Sequence, residues 1–136
     1  MGEATILILA AGRSARMRGA DKLLIQIDGV AQLRRIVLAA LATGRPVLVA
    51  LAPDQSARRA AVQDLPVSVV AVVDADEGMA ASIRAGVRAL PQACAVMILP
   101  ADMPALGQVD LEALLAAHDA QPGVILRGAS LDRPGH

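Results

Sequence analysis

Four short aliphatic runs recur along the chain: TILILA at 5–10, PVLVALA at 46–52, VSVVAVV at 67–73 and CAVMIL at 94–99. They lack the regular polar alternation of a strand with one wet face. A strand apolar on successive positions must be covered on both sides, which is the situation of a parallel sheet between helices. The intervening segments supply those helices. Residues 31–43 place Leu33, Ile36, Val37, Ala40 and Leu41 at helical spacing, with Arg34 and Arg35 on the other face, and Gly44 and Pro46 form a stop. Residues 55–64 predict a short polar helix with Asp54 at its cap. Residues 79–90 predict a helix with Met79, Ile83, Val87 and Leu90 inward, and 109–120 one with Leu111, Leu114 and Leu115 on a single face. GVIL at 123–126 predicts a short fifth strand. Strand and helix alternate throughout, so the expected class is α/β, with helices on both faces of the sheet.

Composition narrows what such a fold can do. The length of 136 residues predicts a single domain spanning 1–136. With no Phe, Tyr or Trp, the core must be aliphatic, and no ring is available to stack a base, which argues against single-stranded nucleic-acid binding. Net charge is zero, so no global field draws the protein to DNA or to a membrane. Cys94 is the single cysteine, which excludes an internal disulfide and a cysteine-built zinc site. At the start of its run Cys94 reads as packing. The longest uncharged stretch, residues 89–101, is short for a membrane span and broken by proline. No basic segment precedes the first apolar run, so a signal peptide is not expected and the cytoplasm is.

Ligands of open α/β sheets bind beyond the carboxyl ends of the strands. Two such ends stand out: Ala10 to Gly12 after the first run and Pro100 to Asp102 after the fourth. The first lies in LAAGRSARMRGADK, 9–22, which packs Arg13, Arg16, Arg18 and Lys22 into ten residues. Gly12 lets the backbone pass close to a ligand, and successive peptide N–H groups can converge on phosphate oxygens. Arg13 offers a planar fork and Lys22 a compact charge. Such contacts contribute roughly 1.5–3 kcal/mol each, so three or four suffice for micromolar binding of a triphosphate. The stretch is neither G-x-x-x-x-G-K-[ST] nor G-x-G-x-x-G. On residues alone, a solvated basic loop and a polyphosphate site both stay open.

Two later stretches carry chemistry in the same sense. In DEGMAASIRAGV, 76–87, Gly78 precedes a helix, Ala80 and Ala81 allow close approach, and Ser82 can donate or accept. The same residues also suit a closely packed amphipathic helix. In LPADMPAL, 99–106, Asp102 follows a buried strand, where its carboxylate can serve as a hard oxygen ligand or merely cap a turn. Pro100 and Pro104 would stiffen that loop. Asp74, Asp76 and Glu77 read as a solvated acidic loop, with ribose orientation or a second metal as the other reading. His118 reads as a solvated histidine.

Taken in order, these three stretches resemble the nucleotidyltransferases of the MobA-like family. LAAGRSARMRGADKLL is similar to L-A-A-G-x-S-x-R-M followed by lysine, GMAASIRAG to G-M-A-x-S-[LI]-x-x-G, and LPADMP to L-x-x-D-M-P. The second stretch most resembles the branch that makes molybdopterin cytosine dinucleotide and lacks the G-P-L-A-G pattern of the guanylyl branch. The resemblance implies a Rossmann-like three-layer αβα fold of the nucleotide-diphospho-sugar transferase type, with a mostly parallel central sheet. It implies transfer of a nucleoside monophosphate, CMP from CTP, to a molybdopterin-type phosphate acceptor, releasing pyrophosphate. Leu9, Ala10, Ala11, Gly12, Arg13, Lys22, Gly78, Ala81 and Ser82 would bind nucleotide. Arg13, Lys22 and Asp102 would act in catalysis, with Asp102 holding Mg²⁺. DRPGH at 132–136 matches the start of a later family stretch, so the family's C-terminal third is expected beyond His136. Two alternatives stay open: a sugar-phosphate or methylerythritol-phosphate nucleotidyltransferase, and a non-catalytic nucleotide-binding maturation factor that partners a molybdenum enzyme.

Overall fold

The computed structural model describes residues 4–12, 16–17, 20–90, 95–103 and 105–120. The four aliphatic runs form strands β1 (Thr5–Leu9), β2 (Val47–Leu51), β3 (Ser68–Ala71) and β4 (Val96–Pro100), paired in the order β3-β2-β1-β4 with every pair parallel. The expected fifth strand at 123–126 lies outside the described residues, as do Arg13, Arg18, Cys94 and Pro104.

The helices are α1 (Gln32–Ala42), α2 (Ser56–Ala60), α3 (Met79–Arg88) and α4 (Gln108–Ala120). β1 shows why both sheet faces had to be apolar. Ile6 and Ile8 join Leu33, Ile36 and Val37 of α1 and Leu111 of α4 in one core. Leu7, one residue out of step, joins Ala81 of α3 and Val72 in a second core. Adjacent strand residues point to opposite faces, so one five-residue strand serves two layers. The result is the expected three-layer αβα arrangement. Among the described residues, no helix is long and apolar enough to cross a membrane.

Three local expectations are corrected. Helix α2 is shorter than 55–64, and Gln55 rather than Asp54 stands at its N-cap. In α3, Met79 and Val87 are exposed, at 59% and 48%, and the buried positions are Ala81, Ser82 and Gly86. The helix lies too close to β1 for large side chains: a Cβ added at Gly86 would collide with the Leu7 side chain. Contact through small residues turned the apolar stripe outward. Between β1 and α1, two short antiparallel ladders join Arg16–Met17 to Ala20–Asp21 and Gln26–Ile27 to Val30–Ala31. The second turns on Asp28 and Gly29, both with positive φ, which is the Asp-Gly hairpin turn.

Candidate functional site

β1 and β4 run side by side to their last residues, where Leu9 pairs with Pro100 and the Ala101 N–H donates to the Leu9 carbonyl at 3.1 Å. β1 also borders β2 on its other edge, so the chain after β1 and the chain after β4 leave the sheet where its strand order reverses. Such a reversal opens a crevice at the carboxyl edge. A cleft of about 370 Å³ lies there.

Its walls come from three segments. Leu9, Ala10 and Gly12 form one, with Leu23 beside them; Pro100, Ala101 and Asp102 form the second. The third is the approach to α3, with Ala75, Asp76, Gly78, Met79 and Ser82. Gly78 adopts φ 96 and ψ −167, a conformation open essentially to glycine alone, and so ends the turn before α3 where the cleft needs it. Ser82 is 4% exposed yet lines the cleft, so what it shows of itself faces that space. Gly12 has ordinary backbone geometry, and a Cβ added to it would meet nothing within 4 Å. The fold therefore does not require glycine there.

The residues singled out in the sequence are partly brought together. Leu9, Ala10, Gly12, Gly78, Ser82 and Asp102 share the one cleft. Ala11 and Ala81, each 1% exposed, sit in the packed layer beneath it with Leu7 and Val72. Lys22 is exposed and opens a one-turn 3₁₀ helix, Lys22–Leu24; its neighbour Leu23 reaches the wall, while Lys22 is not part of it. Arg13 lies outside the described residues. Met79, expected inward, belongs to the wall.

Three polar side chains that the sequence did not single out underlie the loops. Arg58, 2% exposed, donates from Nη1 to the carbonyls of Ala10 at 2.6 Å and Gly12 at 2.9 Å. Its Nε and Nη2 donate to the two carboxylate oxygens of Asp21 at 2.6 and 3.0 Å. Gln55 donates to the Ala11 carbonyl at 3.0 Å and accepts from the Ala52 N–H at 2.8 Å. Gln32, 6% exposed, donates to the Ala101 carbonyl at 3.4 Å, next to Asp102. Only Gln32 left a trace in the sequence, as a polar residue on the buried stripe of α1. Nothing local distinguishes Arg58 from a surface arginine on a polar helix.

Asp76 and Asp102 are acidic residues of the cleft wall. The acidic loop beside it is partly offset, since Arg84 lies 3.6 Å from both Asp74 and Glu77. Among the described residues, no group of three or more His, Cys, Asp or Glu could hold a metal ion. One or two carboxylates at an open cleft instead suit a hard cation that takes its remaining ligands from substrate oxygens and water, as Mg²⁺ does.

Residues 6–136 match the sequence profile of the MobA-like NTP transferase domain. A protein of Natronomonas pharaonis named "Probable molybdenum cofactor guanylyltransferase" is 32% identical over 137 residues, covering all of this chain and 67% of the relative. The structure is similar to a nucleotidyl transferase from Methanothermobacter thermautotroptrophicus, with TM-score 0.74, 26% identity, and 84% of this chain and 57% of that one covered. It is also similar to Rv0371c from Mycobacterium tuberculosis, with TM-score 0.83, 27% identity, and 99% and 69% covered. A manganese complex of that mycobacterial protein superposes with TM-score 0.79 at 24% identity, over 99% and 68%. The chain thus spans between 57% and 69% of these proteins' own lengths.

Proposed function

This chain belongs to the MobA-like NTP transferase family, and from that premise we propose that it transfers CMP from CTP to the phosphate of a molybdopterin-type acceptor. The observation that carries this reading is the shared cleft: the loop after β1 and the acidic tip after β4 are two walls of one space. An oxygen of the acceptor phosphate attacks the α-phosphorus of the triphosphate. The bond from that phosphorus to the bridging α–β oxygen breaks, and pyrophosphate leaves with the electron pair. An ionised phosphate is already a nucleophile, so no general base is required. Alignment and neutralisation of charge on phosphate oxygens supply the catalysis.

In this scheme the peptide N–H of Gly12 meets the phosphates, and Arg13 and Lys22 approach the β and γ groups. Lys22 reaches them from its exposed position by its long side chain. Asp102 would hold Mg²⁺ arriving with the triphosphate, an ion that would offset charge on the phosphate oxygens. Gly78 and Ser82 receive the nucleoside by shape and hydroxyl bonding, which suits a chain without aromatics. Cytosine rests on the GMAASIRAG stretch. GTP is the second reading, favoured by the name of the Natronomonas pharaonis relative.

Pyrophosphate release, assayed with CTP or GTP and with or without molybdopterin, tests the proposal. CTP-dependent release that requires molybdopterin is the expected result. Release with GTP alone overturns the base assignment, and nucleotide binding without release under any acceptor favours a binding factor. Lys22→Ala is expected to weaken triphosphate binding about tenfold, the loss of one charged contact.

A further inference from the structure

We propose that Gln55 and Arg58 are positioning residues that hold the loop after β1 with the Gly12 N–H turned to the anion, an inference that rests on the nucleotide reading above. Three successive carbonyls, those of Ala10, Ala11 and Gly12, are each taken by one of these two side chains. In an extended strand, successive carbonyls point to alternate sides and could not all be served from one short segment. Here they converge on residues 55 and 58, at the start of α2.

Peptide geometry turns that into a statement about the other side of the loop. A trans peptide is planar, with its C=O and the following N–H pointing in opposite directions. Holding the Ala10 carbonyl toward Arg58 therefore aims the Ala11 N–H away from Arg58, and the Ala11 carbonyl on Gln55 does the same for the Gly12 N–H. Neither N–H donates to any other described residue. Of the two residues, Gly12 lines the cleft, so its N–H is the one left to meet an anion there, while Ala11 lies in the packed layer beneath. Without the two side chains, these carbonyl oxygens would lose the partners that hold them away from the cleft, where they would repel phosphate.

Both side chains are themselves anchored. Gln55 is fixed by the Ala52 N–H that its Oε1 accepts, and Arg58 by its paired bonds to Asp21. That pairing also assigns Arg58 its role. Its charge is matched by Asp21 and its guanidinium is 2% exposed, so it acts through the loop and does not touch the ligand.

The test is calorimetry with two probes, magnesium tripolyphosphate and a phosphate-free nucleoside (cytidine and guanosine in turn), on the wild type, Gln55→Ala and Arg58→Lys. Folding is checked by circular dichroism. The expected result is a loss of about fivefold or more for tripolyphosphate in Gln55→Ala, the scale of one neutral hydrogen bond, with the nucleoside changed less than about twofold. Arg58→Lys, which cannot keep all four bonds, is expected to lose more. Should Arg58→Lys not fold, Gln55→Ala decides alone. Tripolyphosphate affinity unchanged in Gln55→Ala, or equal losses for both probes, overturns the positioning role. A wild type that binds neither probe overturns the nucleotide reading itself, a result distinct from the first two.

Discussion

Arg58 and Asp21 form a two-pronged ion pair beneath the cleft, with Nε 2.6 Å from one carboxylate oxygen and Nη2 3.0 Å from the other. The side chains are 3% and 12% exposed. Breaking such a pair from one side strands the other charge away from water, at about 3–5 kcal/mol. Arg58→Met is therefore expected to destabilise by about that amount, and Asp21→Asn by less, since the amide can still accept from Arg58. The double variant is expected to lose less than the two single losses added, with a coupling above about 1 kcal/mol. Urea unfolding of the four proteins measures it, and strict additivity would show that the pair is not a unit.

A variant at Gly12 is expected to separate stability from binding. Its φ suits any residue and an added Cβ has open space. Gly12→Ala is expected to leave Tm unchanged or raise stability by about 0.4–1 kcal/mol, because the unfolded chain loses freedom. Triphosphate affinity is expected to fall about tenfold or more as the methyl takes up cleft space. A drop in Tm together with unaltered affinity would reverse the reading of this position.

Gly86 carries the opposite expectation. Alanine there gains about 1 kcal/mol of helix propensity but drives a methyl into Leu7, which is fully buried. Overpacking costs about 1–3 kcal/mol, so Gly86→Ala is expected to be net destabilising. Gly86→Ala combined with Leu7→Val is expected to recover part of the loss. Thermal unfolding measures both, and a stabilised single variant would mean that α3 is free to move off the sheet.

The Arg34 guanidinium hydrogen-bonds the Asp64 carboxylate and holds it below its ordinary value of 3.8, with a backbone hydrogen bond adding to the effect. A carboxyl depressed by folding contributes stability above its unfolded pKa and loses it as pH falls through the folded one. The Tm difference between wild type and Asp64→Asn is thus expected to be constant near neutrality and to shrink below about pH 3.8. The pair is exposed, so the effect is small and screened by salt. A difference that grows on acidification would contradict the assignment.

Much of the fold was legible because burial on both faces leaves an uninterrupted aliphatic strand, as in Thr5–Leu9, and burial on one face leaves a stripe such as Leu33, Ile36, Val37 and Ala40. The face of α3 was not, because the pattern ranks residues by hydrophobicity, and the contact with Leu7 selects for smallness. The cleft was legible at Gly12 and Asp102, each just past the end of an aliphatic strand. The second of these, Val96–Pro100, is an edge strand of the described sheet with only Leu99 buried and Ile98 exposed, not the buried strand expected. Its support was hidden. Arg58 meets Ala10 and Asp21 across separations of 48 and 37 residues, and half of its bonds go to backbone, which leaves no mark on sequence type.

That one cleft receives a metal-bound polyphosphate between both loops is open to a single measurement: backbone amide NMR during titration with CTP and Mn²⁺ in place of Mg²⁺. Paramagnetic broadening of Gly12, Ala101 and Asp102 together, lost in Asp102→Asn, is the expected result. Broadening confined to one loop, or persisting unchanged in Asp102→Asn, would contradict it.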